Sequence, residues 1–225
     1  MKQSHNVKLW IALGFLMAFA LWTAALCLVD VRPIGPQGTL VGMAKLNGFF
    51  YHLTGVCMPI YTITDWLGLI PVAVGFVFAL MGLVQWIRRG HIAKVDFSLL
   101  ALGVFYLVML AVYLLFETVV INYRPVLIQG RLEVSYPSST TLLTLCVMPT
   151  TMFQLRHRVR RPMIRRCIMV VILLFMAFMV GGRLLAGVHW LTDIVGGGLL
   201  AAGLVTLYDA LCQWQRALSK TPSVG

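Results

Sequence analysis

Long apolar runs separated by short polar segments pattern this chain. Val7 to Val29 is the first run. It reaches the ~20 apolar residues that cross a hydrocarbon core, and it exceeds a signal-peptide core of roughly 7–15 residues. Ala24-Ala25-Leu26-Cys27 offers no convincing cleavage site, so an uncleaved helix is expected. Asp30 to Tyr61 opens with the turn chemistry Asp-Val-Arg-Pro-Ile-Gly-Pro. Leu40 to His52 then reads as a short interfacial helix, with His52 on it. Further spans are expected over Trp66 to Ile87, Phe97 to Val120, Ser138 to Leu155, Cys167 to Val180 (continuing to Leu185 in one reading) and Leu191 to Trp214. Gly196-Gly197-Gly198 in the last run favours close helix contact. The tail from Ser219 to Gly225 is expected to fray.

Composition agrees with the pattern. The 225 residues are 60% hydrophobic and 11% charged, against roughly a quarter charged in a soluble domain. The expected fold class is therefore all-α: a polytopic integral membrane protein of six transmembrane helices, with residues 1–225 as one membrane domain. The formal charge of +11 could suggest nucleic acid. The basic residues cluster at the ends of apolar runs instead, which is membrane topology, so no nucleic-acid partner is expected. Of the 18 lysines and arginines, 13 fall on one side of the predicted spans and 5 on the other. The positive-inside rule then makes both termini cytoplasmic. Five scattered cysteines with no C-x-x-C spacing give no disulfide framework.

That topology gathers polar groups on the outer face: Arg124, Ser138, Ser139, Thr140, Arg183, His189 and Asp193. Ionisable groups are expensive at membrane depth and need a reason. Two arginines carry donor forks suited to phosphate oxygens. Hydroxyls and unpaired backbone N–H groups at a helix start favour an anion. Asp193 lies four residues after His189, a spacing that lets the carboxylate accept the Nδ1 proton and leave Nε2 as a nucleophile. A histidine can carry a phosphoryl group covalently, as phosphohistidine.

The ordered pattern resembles the type 2 phosphatidic acid phosphatase family, which includes the vanadium haloperoxidases. That family carries Lys-x6-Arg-Pro, Pro-Ser-Gly-His and Ser-Arg-x5-His-x3-Asp. The matching residues are Arg124-Pro125, Pro137-Ser138, and Arg183, His189 and Asp193, within a motif region of 117–193. The resemblance implies His189 as nucleophile, Asp193 as its partner, and Arg124, Arg183, Ser138 and the backbone near Ser139 as phosphate ligands. It implies removal of phosphate from a lipid phosphate or diphosphate at the outer face, with neither metal nor other cofactor. Four positions depart from the pattern: Glu117 for lysine, Ser139 for glycine, Thr140 for the second histidine and Gly182 for serine. That second histidine is the family's general acid, and threonine cannot replace it near neutral pH.

Three outcomes stay open. A phosphate leaving group, with a second pKa near ~6, departs unprotonated, so a diphosphate such as undecaprenyl diphosphate needs no acid. A non-catalytic lipid-phosphate binder or transporter could use the same pocket. A monoesterase could borrow an acid, such as Glu117. Glu117 is otherwise expected to pair with Arg124, seven residues on along one helical face. The expected partners are a phospholipid or polyprenyl phosphate and the bilayer of the inner membrane, with the oligomeric state open.

Overall fold

The computed structural model describes residues 2–219. The expected frayed tail lies outside them, apart from Ser219, as does Lys220 of the basic tally. Among the described residues, eight α-helices make the architecture: α1 Lys2–Leu28, α2 Ala44–Thr54, α3 Met58–Leu67, α4 Leu69–Arg89, α5 Phe97–Thr118, α6 Ser139–Arg158, α7 Pro162–Leu185 and α8 Leu191–Leu218. Asn6–Leu28, Met58–Arg89, Phe97–Thr118, Pro162–Leu185 and Leu191–Leu218 are each long and apolar enough to cross a membrane. The chain is an all-helical, multi-pass membrane protein.

Three spans depart most from the sequence reading. The second starts eight residues earlier than Trp66, because α3 and α4 run on end to end through Gly68. The fifth starts earlier than Cys167 and does continue to Leu185. The fourth predicted span, α6, is a helix but is not among the five apolar ones. Its threonines explain this. Thr140, Thr141, Thr144, Thr150 and Thr151 are buried in the bundle and do not face its surroundings. Thr150 and Thr151 return their hydroxyls to carbonyls of their own helix, such as Val147 O.

α8 is the central post, with α1 packed along much of its length and α5 and α6 against other faces. A core of Leu99, Leu102, Phe105, Leu142, Cys146, Leu200, Leu204 and Tyr208 binds α5, α6 and α8. The expected glycine contact is made, but partly by a loop. A Cβ on Gly196 would stand 2.5 Å from the Tyr136 ring, and one on Gly197 would stand 3.3 Å from Ser138 O. The small residues of α8 thus seat the segment that leads into α6. Gly182 is similarly enclosed: a Cβ there would lie 2.7 Å from Thr64 Cγ2. Thr64 is fully buried and bonded to Ile60 O and Tyr61 O, so it cannot yield cheaply. The glycine is what lets α3 lie close on α7.

Candidate active site

The C-terminal ends of α5 and α7 and the N-terminal ends of α6 and α8 meet at one end of the bundle. Two connections close it. The longer, 119–138, folds back on itself through bridges between Tyr123 and Val134 and between Ile128 and Arg131. The shorter, 186–190, carries His189. A small apolar cluster of Ile128, Ala186 and Val188, with Ile60, Tyr61 and Val126 against it, joins both connections to α3. Its close packing depends on Gly187, which has φ +64° and whose Cβ would fall 1.8 Å from Gly55 O. Cys57 N–H also donates to Ala186 O at 3.1 Å.

His189 and Asp193 are buried, as expected of an oriented pair. Their direct contact is not. Nδ1 and Oδ2 are 3.9 Å apart, because His189 precedes the helix on which Asp193 sits. Ser135 bridges the gap. Its Oγ is 3.0 Å from His189 Nδ1, and its hydroxyl donates to Asp193 Oδ2. With that proton committed to the carboxylate, Oγ accepts from Nδ1–H, so Nε2 keeps its lone pair. Asp193 is further fixed by Trp190 N–H at 2.9 Å and by Asn122 Nδ2 at 3.1 Å. Asn47, from α2, receives Thr192 N–H at 3.2 Å and donates to Thr192 Oγ1 at 2.9 Å, capping the first turn of α8. That buried asparagine reaches the site from α2, and Tyr51 of the same helix packs on the Trp190 ring, whereas His52 is exposed.

Replacing Ser135 by alanine is therefore expected to lower any His189-dependent turnover by roughly 10²-fold while leaving substrate affinity nearly unchanged. Steady-state kinetics separates the two effects. An unchanged kcat would remove Ser135 from the relay.

Arg124 and Arg183 flank the Tyr61 ring, their guanidinium carbons 5.9 Å and 5.1 Å from its centroid. Cation–π contact holds both without using up their N–H donors. Arg183, only 1% exposed, donates to Asp65 Oδ1 at 3.0 Å and to Thr140 Oγ1. Thr140 thus stands beside Arg183 and orients it. Arg124 does not pair with Glu117. Its Nε lies 3.1 Å from Glu133 Oε2, in ionic contact without an aligned hydrogen bond. The helix α5 ends at Thr118, so the face that was to carry Glu117 beneath Arg124 does not continue. The fold-back of 119–138 brings Glu133 there instead, through Arg124 N–H to Glu133 O at 3.0 Å.

The polar groups left over share one character. Arg124 Nη1, Arg183 Nε and Nη1, Ser138 Oγ and His189 Nε2 are all buried without a hydrogen-bond partner. Buried donors are normally satisfied, so such a set calls for an acceptor-rich ligand. The first-turn amides of α6, from Ser139 on, add donors with no intrahelical acceptor. Arg124, His189, Ser139, Ser135, Glu117 and Glu133 all line a cavity of about 420 Å³. Tyr113 and Ser139 also line an apolar groove of similar size, walled by Leu69, Val72, Met109, Leu110, Leu142 and Leu143, with Asp65 and Thr140 at its polar end.

Burial pushes the His189 imidazole down to about 4, and the nearby Arg124 charge adds to the shift. Hydrogen bonding towards Asp193 opposes it. The neutral, nucleophilic ring thus persists below the ordinary histidine value near ~6.5. For a histidine-dependent reaction, the acid limb of kcat/KM is expected between that value and about 4. In the same window the unfolded chain binds the proton first, so stability declines as pH falls. A limb at the ordinary value, in an assay with a diphosphate substrate, would exclude this environment for the reacting group.

Asp65, Tyr61, Ser135, Glu133, Asn122 and Asn47 were not singled out as site residues by sequence reasoning. Only Asn122 carried a signal, since it lies two residues before the Arg124-Pro125 pair.

Residues 120–217 match the PAP2 superfamily model. No curated protein matches the chain in sequence. Among solved structures, the fold is similar to the crystal structure of the first transmembrane PAP2 type phosphatidylglycerolphosphate phosphatase from Bacillus subtilis, with a TM-score of 0.56. Sequence identity is 15%, over 94% of this chain and 98% of that one. Residues 120–217 are thus similar to the PAP2 superfamily, and the fold of nearly the whole chain is similar to that of a solved membrane protein.

Proposed function

We propose that the protein is a membrane lipid phosphatase acting through His189. The observation that carries this reading is the set of buried, unpartnered donors around an imidazole whose Nε2 is also unpartnered. His189 Nε2 attacks phosphorus, and Asp193 steadies the resulting imidazolium through Ser135. Arg124, Arg183, Ser138 and the α6 amides at Ser139 and Thr140 hold the phosphate oxygens as charge shifts. Water then releases phosphate from the phosphohistidine. The apolar groove that shares Tyr113 and Ser139 with the polar chamber supports a lipid tail beside a phosphate headgroup.

The leaving group decides the substrate class. Thr140 offers no general acid, and its hydroxyl is engaged with Arg183. A lipid diphosphate, undecaprenyl diphosphate for example, expels a phosphate that needs no proton and stands ahead of simple monoesters. In this reading six membrane crossings, with α6 enclosed among the others, set both termini on one side; the bias of lysines and arginines makes that side the cytoplasm and leaves the chamber at the outer face of the inner membrane. The Lys8–Asp209 ion pair, which sets the start of α1 beside the end of α8, fits that arrangement.

Phosphate release from undecaprenyl diphosphate, phosphatidate and phosphatidylglycerophosphate, in detergent, tests the reading. The diphosphate is expected to turn over fastest. Binding of all three with no release would leave a non-catalytic lipid-phosphate binder or transporter. A reporter fused at Arg131 is expected to signal from the outer side; a cytoplasmic signal would overturn the placement.

A further inference from the structure

At the end of the bundle away from His189, the N-terminal ends of α1 and α5 meet the C-terminal ends of α6 and α8. Tyr208 of α8 lies 15 residues beyond Asp193, about 22 Å along the helix. A second cavity of about 400 Å³ lies there. Its floor is a buried hydrogen-bond network. Gln154 Nε2 donates to Tyr208 Oη at 2.7 Å and to Ser98 O at 3.2 Å, and the Tyr208 hydroxyl donates to Ser98 O at 3.0 Å. Gln154 and Tyr208 are 4% and 3% exposed. Gln154 Oε1 in turn accepts from Arg158 Nε at 3.2 Å and Nη2 at 3.0 Å, which aims that guanidinium.

Two carboxylates line the cavity, and each is paired with a cation that does not. Asp209 pairs with Lys8, and Asp96 Oδ1 with Arg89 Nη1 at 3.0 Å. The lining guanidiniums of Arg156, Arg158 and Arg216 are therefore in surplus. Arg156 and Arg216 form no ion pair among the described residues. Arg156 instead stands over the Phe153 ring, 5.6 Å from its centroid, which leaves its N–H donors open. A charge bias that only sets topology needs arginines in a loop. It needs neither a buried glutamine to aim one of them nor a cavity between them.

The cavity continues into an apolar groove. Leu100, Val104 and Val108 of α5 face Leu204 and Leu211 of α8 across about 380 Å³. Tyr208 lines both spaces, and Ser98 and Cys212 in the cavity directly follow Phe97 and Leu211 in the groove. From this juxtaposition we propose a second lipid site, in which an anionic phospholipid places its phosphate on Arg156, Arg158 and Arg216 and an acyl chain in the groove between α5 and α8. Guanidinium forks suit the phosphate oxygens, and basic pockets at helix ends take acidic headgroups. A free phosphate uses the cavity alone; the continuous groove selects a lipid. Bound there, the lipid ties together α5, α6 and α8, the three helices whose other ends carry the phosphate chamber.

Lipid binding tests the site. Dioleoylphosphatidylglycerol and dioleoylphosphatidylcholine are titrated separately into the delipidated full chain in detergent, and bound lipid is counted by native mass spectrometry. The anionic lipid is expected to bind about tenfold more tightly. Arg156→Gln/Arg216→Gln, which removes no ion pair, is expected to reduce that preference to about twofold or less. Arg165→Gln/Arg166→Gln removes the same charge from the start of α7, outside the cavity, and is expected to retain the preference. Arg124→Gln, in the opposite chamber, is expected to retain it too. Replacing chloride by inorganic phosphate at equal ionic strength is expected to change it by less than about twofold. Circular dichroism confirms equal helix content throughout. Equal binding of the two lipids, or equal losses in both arginine pairs, would overturn the proposal as a diffuse charge effect. Loss in Arg124→Gln would move the lipid to the chamber, and displacement by phosphate would make the cavity a free-anion site; either result overturns it as well.

Discussion

Alanine at position 189 is expected to lower phosphate release from a lipid diphosphate by at least about 10⁴-fold, with the protein still folded. The size follows from the role. Loss of a positioning group slows a step, whereas loss of the proposed attacking atom removes the covalent route and leaves only water in the proposed phosphate site. His189 is 4% exposed, and its Nδ1 is bonded to Ser135. In the variant, Ser135 still donates to Asp193 and Asp193 still accepts from Trp190 N–H, so the neighbouring scaffold persists. Phosphate release, with helix content by circular dichroism as the control, checks this. Activity within tenfold of the starting protein, at equal helix content, contradicts a nucleophilic His189.

The second large effect is structural. Gly187→Ala is expected to destabilise the protein by more than about 4 kcal/mol, by two named mechanisms acting together. The backbone there sits at φ +64°, where a Cβ is strained, and that Cβ would meet Gly55 O at 1.8 Å. The obstacle is backbone, so no rotamer change relieves it. Relief requires pushing 186–190 away from the turn before α3, which opens the Ile128–Ala186–Val188 cluster and breaks the Cys57–Ala186 hydrogen bond. Gly181→Ala is the matched control, because nothing lies within 4 Å of its Cβ position. Thermal unfolding in detergent separates the pair: the first variant is expected to melt far lower or fail to accumulate, and the second to melt close to the parent. Equal melting temperatures would mean that the two segments are not tightly packed.

Much of the helical layout was legible because apolar run length alone announces a membrane helix. α6 shows where that logic stops. Its threonines lower its hydropathy, and only its neighbours explain why a polar helix can sit inside a bundle. For the site, the residues legible in advance were those whose spacing is local: Arg183, His189 and Asp193 lie within eleven positions of one another. The residues that orient them come from afar. Asn47 reaches Thr192 across 145 positions, Asp65 reaches Arg183 across 118, and Ser135 reaches His189 across 54. No local pattern encodes such pairings. Glu117 was misread for the complementary reason: the pairing assumed a helix that continues to Arg124, whereas α5 ends at Thr118 and the loop delivers Glu133.

Trapping the covalent intermediate addresses the proposed chemistry most directly. Lipid diphosphate labelled with ³²P in its terminal phosphate is mixed with the protein and quenched within milliseconds. Label that is stable to alkali, labile to acid and mapped to the peptide carrying His189 is the expected result, absent from the His189→Ala protein. Steady phosphate release with no protein-bound label at any quench time, or label that persists in the alanine variant, would contradict catalysis through His189.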